Sequence, residues 1–262
     1  APWRGGAWVL RLPLNLDLEI EGGRGALTLD MVRSARAAAA SLEHAAPIVQ
    51  MDNFLMDSDF VVAALERGGP TAFSADTLAP GVPVVSNHVR WLQALADEVG
   101  PDGVLSGNVL RPGVSQFGLP WLDAVVFEGK AAPEEERAEN WAIEDLAWRR
   151  ALAGDRPVAA LLSVAAPRGA VWHGAESSAF AETIWHRCLV FAITPTIAEA
   201  WESASALDAV RPLYAHFIPI VERLEGAGWQ PVTGAAADEP GVVIERYGTA
   251  AGGEILLAVH RV

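Results

Sequence analysis

The chain has 262 residues, of which 51% are hydrophobic and 20% charged, and a formal net charge of −14. That length accommodates a single α/β barrel, and that composition excludes a disordered chain. The acidity sets the protein against phosphate backbones and anionic membranes, so nucleic acid is not an expected partner. No uncharged stretch is long enough for a membrane span.

In chain order, residues 7–14 (AWVLRLPL) read as a strand, and 27–43 as an alanine-rich helix that Thr28 can cap. Residues 47–52 (PIVQMD) form a short apolar run ending in an acid, which suits a buried parallel strand. Residues 57–69 are ambiguous. A strand over 82–86 leads to a helix over 87–99, with Val89, Leu92 and Leu95 at helical spacing. Gly100-Pro101-Asp102-Gly103 breaks that helix.

Strands follow at 104–110 and 124–127, the second closed by Glu128-Gly129. A helix over 133–152 opens with Glu134, Glu135 and Glu136, which complement its dipole. A strand at 157–164 and a helix at 176–193 come next, then an irregular segment or short strand over 194–201. Residues 207–227 read as a helix that Pro212 and Pro219 break or kink. Three strands at 230–233, 242–247 and 254–261, separated by Gly and Pro turns, predict an antiparallel appendage.

Alternating strands and helices argue for a parallel sheet, and polar residues at the ends of short apolar strands favour a barrel over an open sheet. The predicted fold is therefore a (β/α)8-type barrel over 1–228 with a small C-terminal antiparallel β module over 229–262. A closed barrel needs eight strands, and the sequence yields six clear ones. Either one or two strands are irregular, or an N-terminal segment or partner chain completes the barrel. Ala1-Pro2-Trp3 carries no methionine and no signal-peptide pattern, so a leader has been removed or the sequence begins inside a longer protein.

Among common motifs, GxSxG, the P-loop, GxGxxG and HExxH are missing from the sequence. The six histidines never pair at i, i+4, and the single cysteine, Cys188, lies in an apolar run as a buried, inert thiol. Neither a metal nor a cofactor is expected. Asp52, Asp57 and Asp59 lack the glycine and distal glutamate of a calcium loop.

The acids after apolar strands remain. Asp52 and Glu128 are the candidate catalytic pair, since two carboxylates at a barrel mouth can do acid/base work or form a glycosyl intermediate. The neighbouring Asn53 is a donor that keeps Asp52 ionised as nucleophile, while Phe127 and Gly129 give Glu128 an apolar setting that raises its pKa for acid duty. Candidate substrate-binding residues at the same mouth are Asn15, Asp17, Asn53, Asn108, Trp172, His173, Glu199 and Trp201. Ten tryptophans against two tyrosines is an unusual ratio, and flat indoles suit the apolar faces of sugar rings. Most of the ten serve as core filling, with Trp3, Trp172 and Trp201 the expected platforms.

Met51-Asp52-Asn53, Ser106-Gly107-Asn108 and Phe127-Glu128-Gly129 together resemble TIM-barrel glycoside hydrolase-like proteins, and the likeness extends over roughly residues 45–262. The resemblance implies a strand-end Asp as nucleophile or base, Glu128 as acid, a carbohydrate substrate, and a secreted or cell-surface protein. Two further readings stand beside it. One is a catalytically silent barrel that binds carbohydrate or builds a cell-surface assembly; the other is a lyase or isomerase with a carboxylate base.

Overall fold

The structure, a computed structural model, describes residues 8–10, 24–39, 48–51, 60–61, 72–73, 80–108, 114–131, 142–164, 175–197 and 204–261. Internal contacts divide the chain into two compact units, Ala1–Val125 and Val126–Val262. Both are built of α/β elements, and each adds a separate three-stranded antiparallel sheet.

The first unit alternates strand and helix. Strand β1 (Trp8–Leu10) pairs in parallel with β2 (Ile48–Met51), and helix α1 (Arg24–Ala39) lies between them in the chain. Strand β2 in turn pairs in parallel with β6 (Val104–Asn108), with Met51 opposite Gly107. Three short strands fall between β2 and β6: β3 (Phe60–Val61), β4 (Ala72–Phe73) and β5 (Pro80–Pro83). They form their own antiparallel sheet with β5 in the middle. Of the strand predicted at 82–86, only residues 82 and 83 are strand, as the end of β5 in this insertion; residues 84–86 open the helix that follows. Pro80 and Pro83 stand at the two ends of β5, where their missing N–H groups limit its length.

Helix α2 (Val84–Val99) starts directly after β5. Its buried face is His88, Trp91, Leu92, Leu95 and Val99, the spacing of one helical stripe. Thr28, predicted to cap α1, lies inside that helix instead and is fully buried. Arg36, in the last turn of α1, donates from Nη1 to the Glu98 carbonyl at 2.7 Å, and Arg33 binds the Glu98 carboxylate. The C-terminal turns of α1 and α2 therefore meet, as in successive βα units whose helices run the same way. Asp123 accepts the Leu105 N–H at 2.8 Å and returns its own N–H to the Leu105 carbonyl, clipping the start of β7 (Ala124–Ala131) to β6.

Strand β7 runs on to Ala131, so Glu128 stands inside the strand and does not close it as the sequence suggests. In the second unit β7, β8 (Val158–Val164) and β9 (Ile193–Ile197) follow in chain order, with β8 and β9 parallel. Helix α3 (Ile143–Ala153) precedes β8, and α4 (Ala175–Leu189) precedes β9. The two units thus contribute three such strands each among the described residues, against the eight of a closed barrel.

Helix α5 (Ala204–Ala227) is continuous through Pro212 and Pro219. The sequence predicts a break or kink there, but both prolines lie on the exposed side of the helix, where water can meet the carbonyls they leave unpaired. Strands β10 (Trp229–Gln230), β11 (Val242–Tyr247) and β12 (Leu256–Arg261) form the predicted antiparallel sheet. Its inner face joins α4 and α5 in one core, where Trp185, Ala192, Phe217, Val221, Leu224 and Tyr247 are buried together. Cys188 is fully buried beside it, and burial pushes its thiol pKa up, in line with an inert role. No helix among the described residues is long and apolar enough to cross a membrane.

Gly248 is the tightest point of the C-terminal sheet. Its φ is +79°, its N–H donates to the Gly228 carbonyl at 2.7 Å, and a Cβ there would sit 2.3 Å from the Glu254 carbonyl oxygen. Gly228 has a similar φ of +82° but open space where its Cβ would be. Gly248→Ala is expected to cost about 2–4 kcal/mol, because a backbone clash adds to the left-handed penalty, and Gly228→Ala about 1 kcal/mol. Urea midpoints measure both, and equal losses would remove the clash as the cause.

Candidate functional site

Strand β6 is half-buried at Val104 and buried from Leu105 to Asn108, the pattern of a parallel strand covered on both faces. Asn108 is its last residue, at the C-terminal end where α/β proteins place their chemistry. Its side chain is 1% exposed, and neither carboxamide atom has a hydrogen-bond partner among the described residues. Leaving a buried donor or acceptor unsatisfied costs about 1–3 kcal/mol each, so such a group calls for a partner: a water, an ion or a ligand.

Helix α2 brings a second polar group to the same end. The connection from Val99 to Val104 is a tight turn, with the Gly100 N–H on the Ala96 carbonyl and the Gly103 N–H on the Gly100 carbonyl. The helix therefore runs back against β6, and its first turns lie toward the end of the strand that carries Asn108. His88 is 4% exposed and sits edge-on to Trp91, with ring centroids 5.8 Å apart. Burial lowers the His88 pKa from 6.5 to about 4, so the imidazole is neutral at neutral pH. His88 is not among the candidates that the sequence offers. The signal was there, since it is the polar residue on the apolar stripe completed by Trp91, Leu92, Leu95 and Val99.

This burial has a pH consequence with a definite sign. The folded pKa lies below the unfolded one, so the His88 contribution is complete above about pH 6.5 and is lost as pH falls toward 4. The shift corresponds to about 3 kcal/mol. Wild type is expected to lose that much more stability than His88→Leu between pH 7 and pH 4, measured by urea denaturation. Parallel losses in the two proteins, or a His88 NMR titration near 6.5, would count against it.

The other candidates fare differently. Glu128 is placed only as a residue of β7. Asn15, Asp17, Asp52, Asn53, Trp172, His173, Glu199 and Trp201 lie outside the described residues, as does Trp3. Of the tryptophans, Trp91 and Trp185 are core residues, and the Trp229 indole N–H donates to Glu245 at 2.7 Å.

A second polar cluster lies in the second unit, outside the candidates that the sequence offers. Arg150 on α3 is 2% exposed and donates to four carbonyls: Phe191 at 2.6 Å, Ala192 at 2.7 Å, Arg156 at 2.8 Å and Gly154 at 3.1 Å. Burial lowers its pKa, while Tyr247, Glu225, Glu245 and Asp155 oppose that shift. Burial likewise raises the pKa of Glu225 and of Glu245. The carbonyls that Arg150 holds precede Val158 and Ile193, the first residues of β8 and β9. This is the end of the strands associated with stability. Next to it on α3, Arg149 pairs with Asp145 at 2.7 Å and lies 4.1 Å above the Phe127 ring.

The described residues contain no group of three or more His, Cys, Asp or Glu able to hold a metal. A scan of protein-family models finds no match to the chain, and a search of curated proteins finds no relative.

Proposed function

We propose that the chain is a glycoside hydrolase on a (β/α)8-type barrel, with Asp52 as nucleophile or base and Glu128 as acid. The observation that carries the reading is Asn108, a buried carboxamide without a partner among the described residues, at the C-terminal end of a parallel strand. A carboxamide donates and accepts at once, as a sugar hydroxyl does. Within each unit the parallel strands follow one another in chain order, as successive βα units do. Asp52 is the residue after Met51, whose strand partner is Gly107, the residue before Asn108. Asn15, Asp17, Asn53, His173 and Glu199 would add polar contacts, and Trp172 and Trp201 stacking platforms, in a secreted or cell-surface protein.

Asn108 serves a silent carbohydrate-binding barrel equally well, so hydrolysis must be measured separately from binding. A panel of 4-nitrophenyl glycosides tests the first and calorimetry with the parent sugars the second. Release of nitrophenolate, lost on Asp52→Ala and lowered less on Glu128→Gln, is the expected result. Binding without release assigns the silent barrel, and neither binding nor release overturns both readings.

A further inference from the structure

We infer that the first unit carries a subsite for a neutral, hydroxyl-bearing ligand, built on the Asn108 carboxamide and the His88 imidazole. The inference names the substrate class of the site proposed above and rests on that reading for its choice of sugars as probes.

Three observations carry it. The first is placement. From the turn that joins α2 to β6, His88 lies eleven residues back along the helix, roughly 16 Å, and Asn108 four residues along the strand, roughly 13 Å. The two residues therefore lie toward the same end of the unit, His88 on the helix and Asn108 on the strand. The second is Asn108 itself, whose donor and acceptor are both desolvated and both without a partner among the described residues. A group that supplies one hydrogen and one lone pair satisfies it, and a hydroxyl does so.

The third observation is charge. The buried polar residues described in the first unit are Thr28, His88, Ser106 and Asn108, none of which is charged at neutral pH. A carboxylate or phosphate brought to Asn108 would be stripped of water with no buried counter-charge among these residues, and the net charge of −14 opposes it further. Neutral hydroxyls incur neither cost.

The test is calorimetric titration of the whole chain with glucose, galactose and mannose, and with glucuronate and glucose 6-phosphate as charged counterparts. At least one neutral hexose is expected to bind, with charged counterparts at least about tenfold weaker. Asn108→Leu is expected to weaken that binding by at least about tenfold and to raise Tm by about 2–4 °C, since an unsatisfied buried amide is replaced by an apolar group of similar shape. His88→Phe should weaken binding in the same direction. The inference is overturned if no neutral hexose binds, if charged sugars bind as well, or if Asn108→Leu binds like wild type. It is equally overturned if Asn108→Leu lowers Tm or fails to fold, since the carboxamide would then be satisfied within the protein. Hexose binding without cleavage of any aryl glycoside removes the hydrolase reading and leaves the subsite. Cleavage with an unchanged kcat/KM in Asn108→Leu does the reverse.

Discussion

Asp52→Ala and Glu128→Gln are each expected to lower kcat on glycosides by about a hundredfold to ten-thousandfold, the range that one acid, base or nucleophile contributes. The two should differ in their response to the leaving group. Nitrophenolate departs with little protonation, so Glu128→Gln should cost least on 4-nitrophenyl glycosides and most on alkyl glycosides, which need the proton. Asp52→Ala should cost heavily on both, because the attack on the anomeric carbon is itself removed. Retention of anomeric configuration is expected, with the carboxyl groups about 5–5.5 Å apart; inversion would need about 6.5–9.5 Å. Product anomers read by NMR immediately after mixing decide between the two. If both variants keep wild-type activity on both substrate types, these carboxylates are not the catalytic machinery.

Arg150→Met is expected to destabilise the second unit by about 3–5 kcal/mol. The side chain is buried and its guanidinium donates to four carbonyls at 2.6–3.1 Å. Methionine fills much of the same volume but donates nothing, so the carbonyls of Phe191 and Ala192 lose their buried donor. Arg150→Lys should recover only part of the loss, because an ammonium at one point cannot reach acceptors that the planar fork spans. The cost has a geometric side too. Ala192 has φ +47°, a left-handed conformation that costs a non-glycine residue about 1–2 kcal/mol. That turn is held by Arg150 on two carbonyls and by the Tyr247 hydroxyl, which donates to Val190 at 2.9 Å. The urea midpoint should fall with little change in slope, and a loss below about 1 kcal/mol would show that the network is not what holds the turn.

Local pattern alone accounts for many of the elements. The βα alternation, the apolar stripe of α2, the Gly100 stop, the buried strand β6 and the antiparallel strands β11 and β12 all follow from periodicity and turn residues, which act over a few neighbours. Asn108 was also legible, as a polar residue at the end of an apolar strand. Its burial and missing partners were not, because they depend on what packs over β6.

Tertiary structure decided the rest. Residues 82–86 look like one more strand of the parallel sheet, yet 82 and 83 end β5, which pairs with β3 and β4, and 84–86 open α2. The apolar run through residue 193 reads as one helix, yet α4 ends at Leu189. No Gly or Pro marks that stop; Arg150 and Tyr247, 41 and 57 residues away from the carbonyls they hold, cap the turn. Pro212 and Pro219 looked like breaks, and their exposed side of α5 made them tolerable. His88 read as one more helix residue until the packing of α2 buried it and made its imidazole neutral. In each case the deciding free energy comes from contacts far apart in the chain, which no local pattern records.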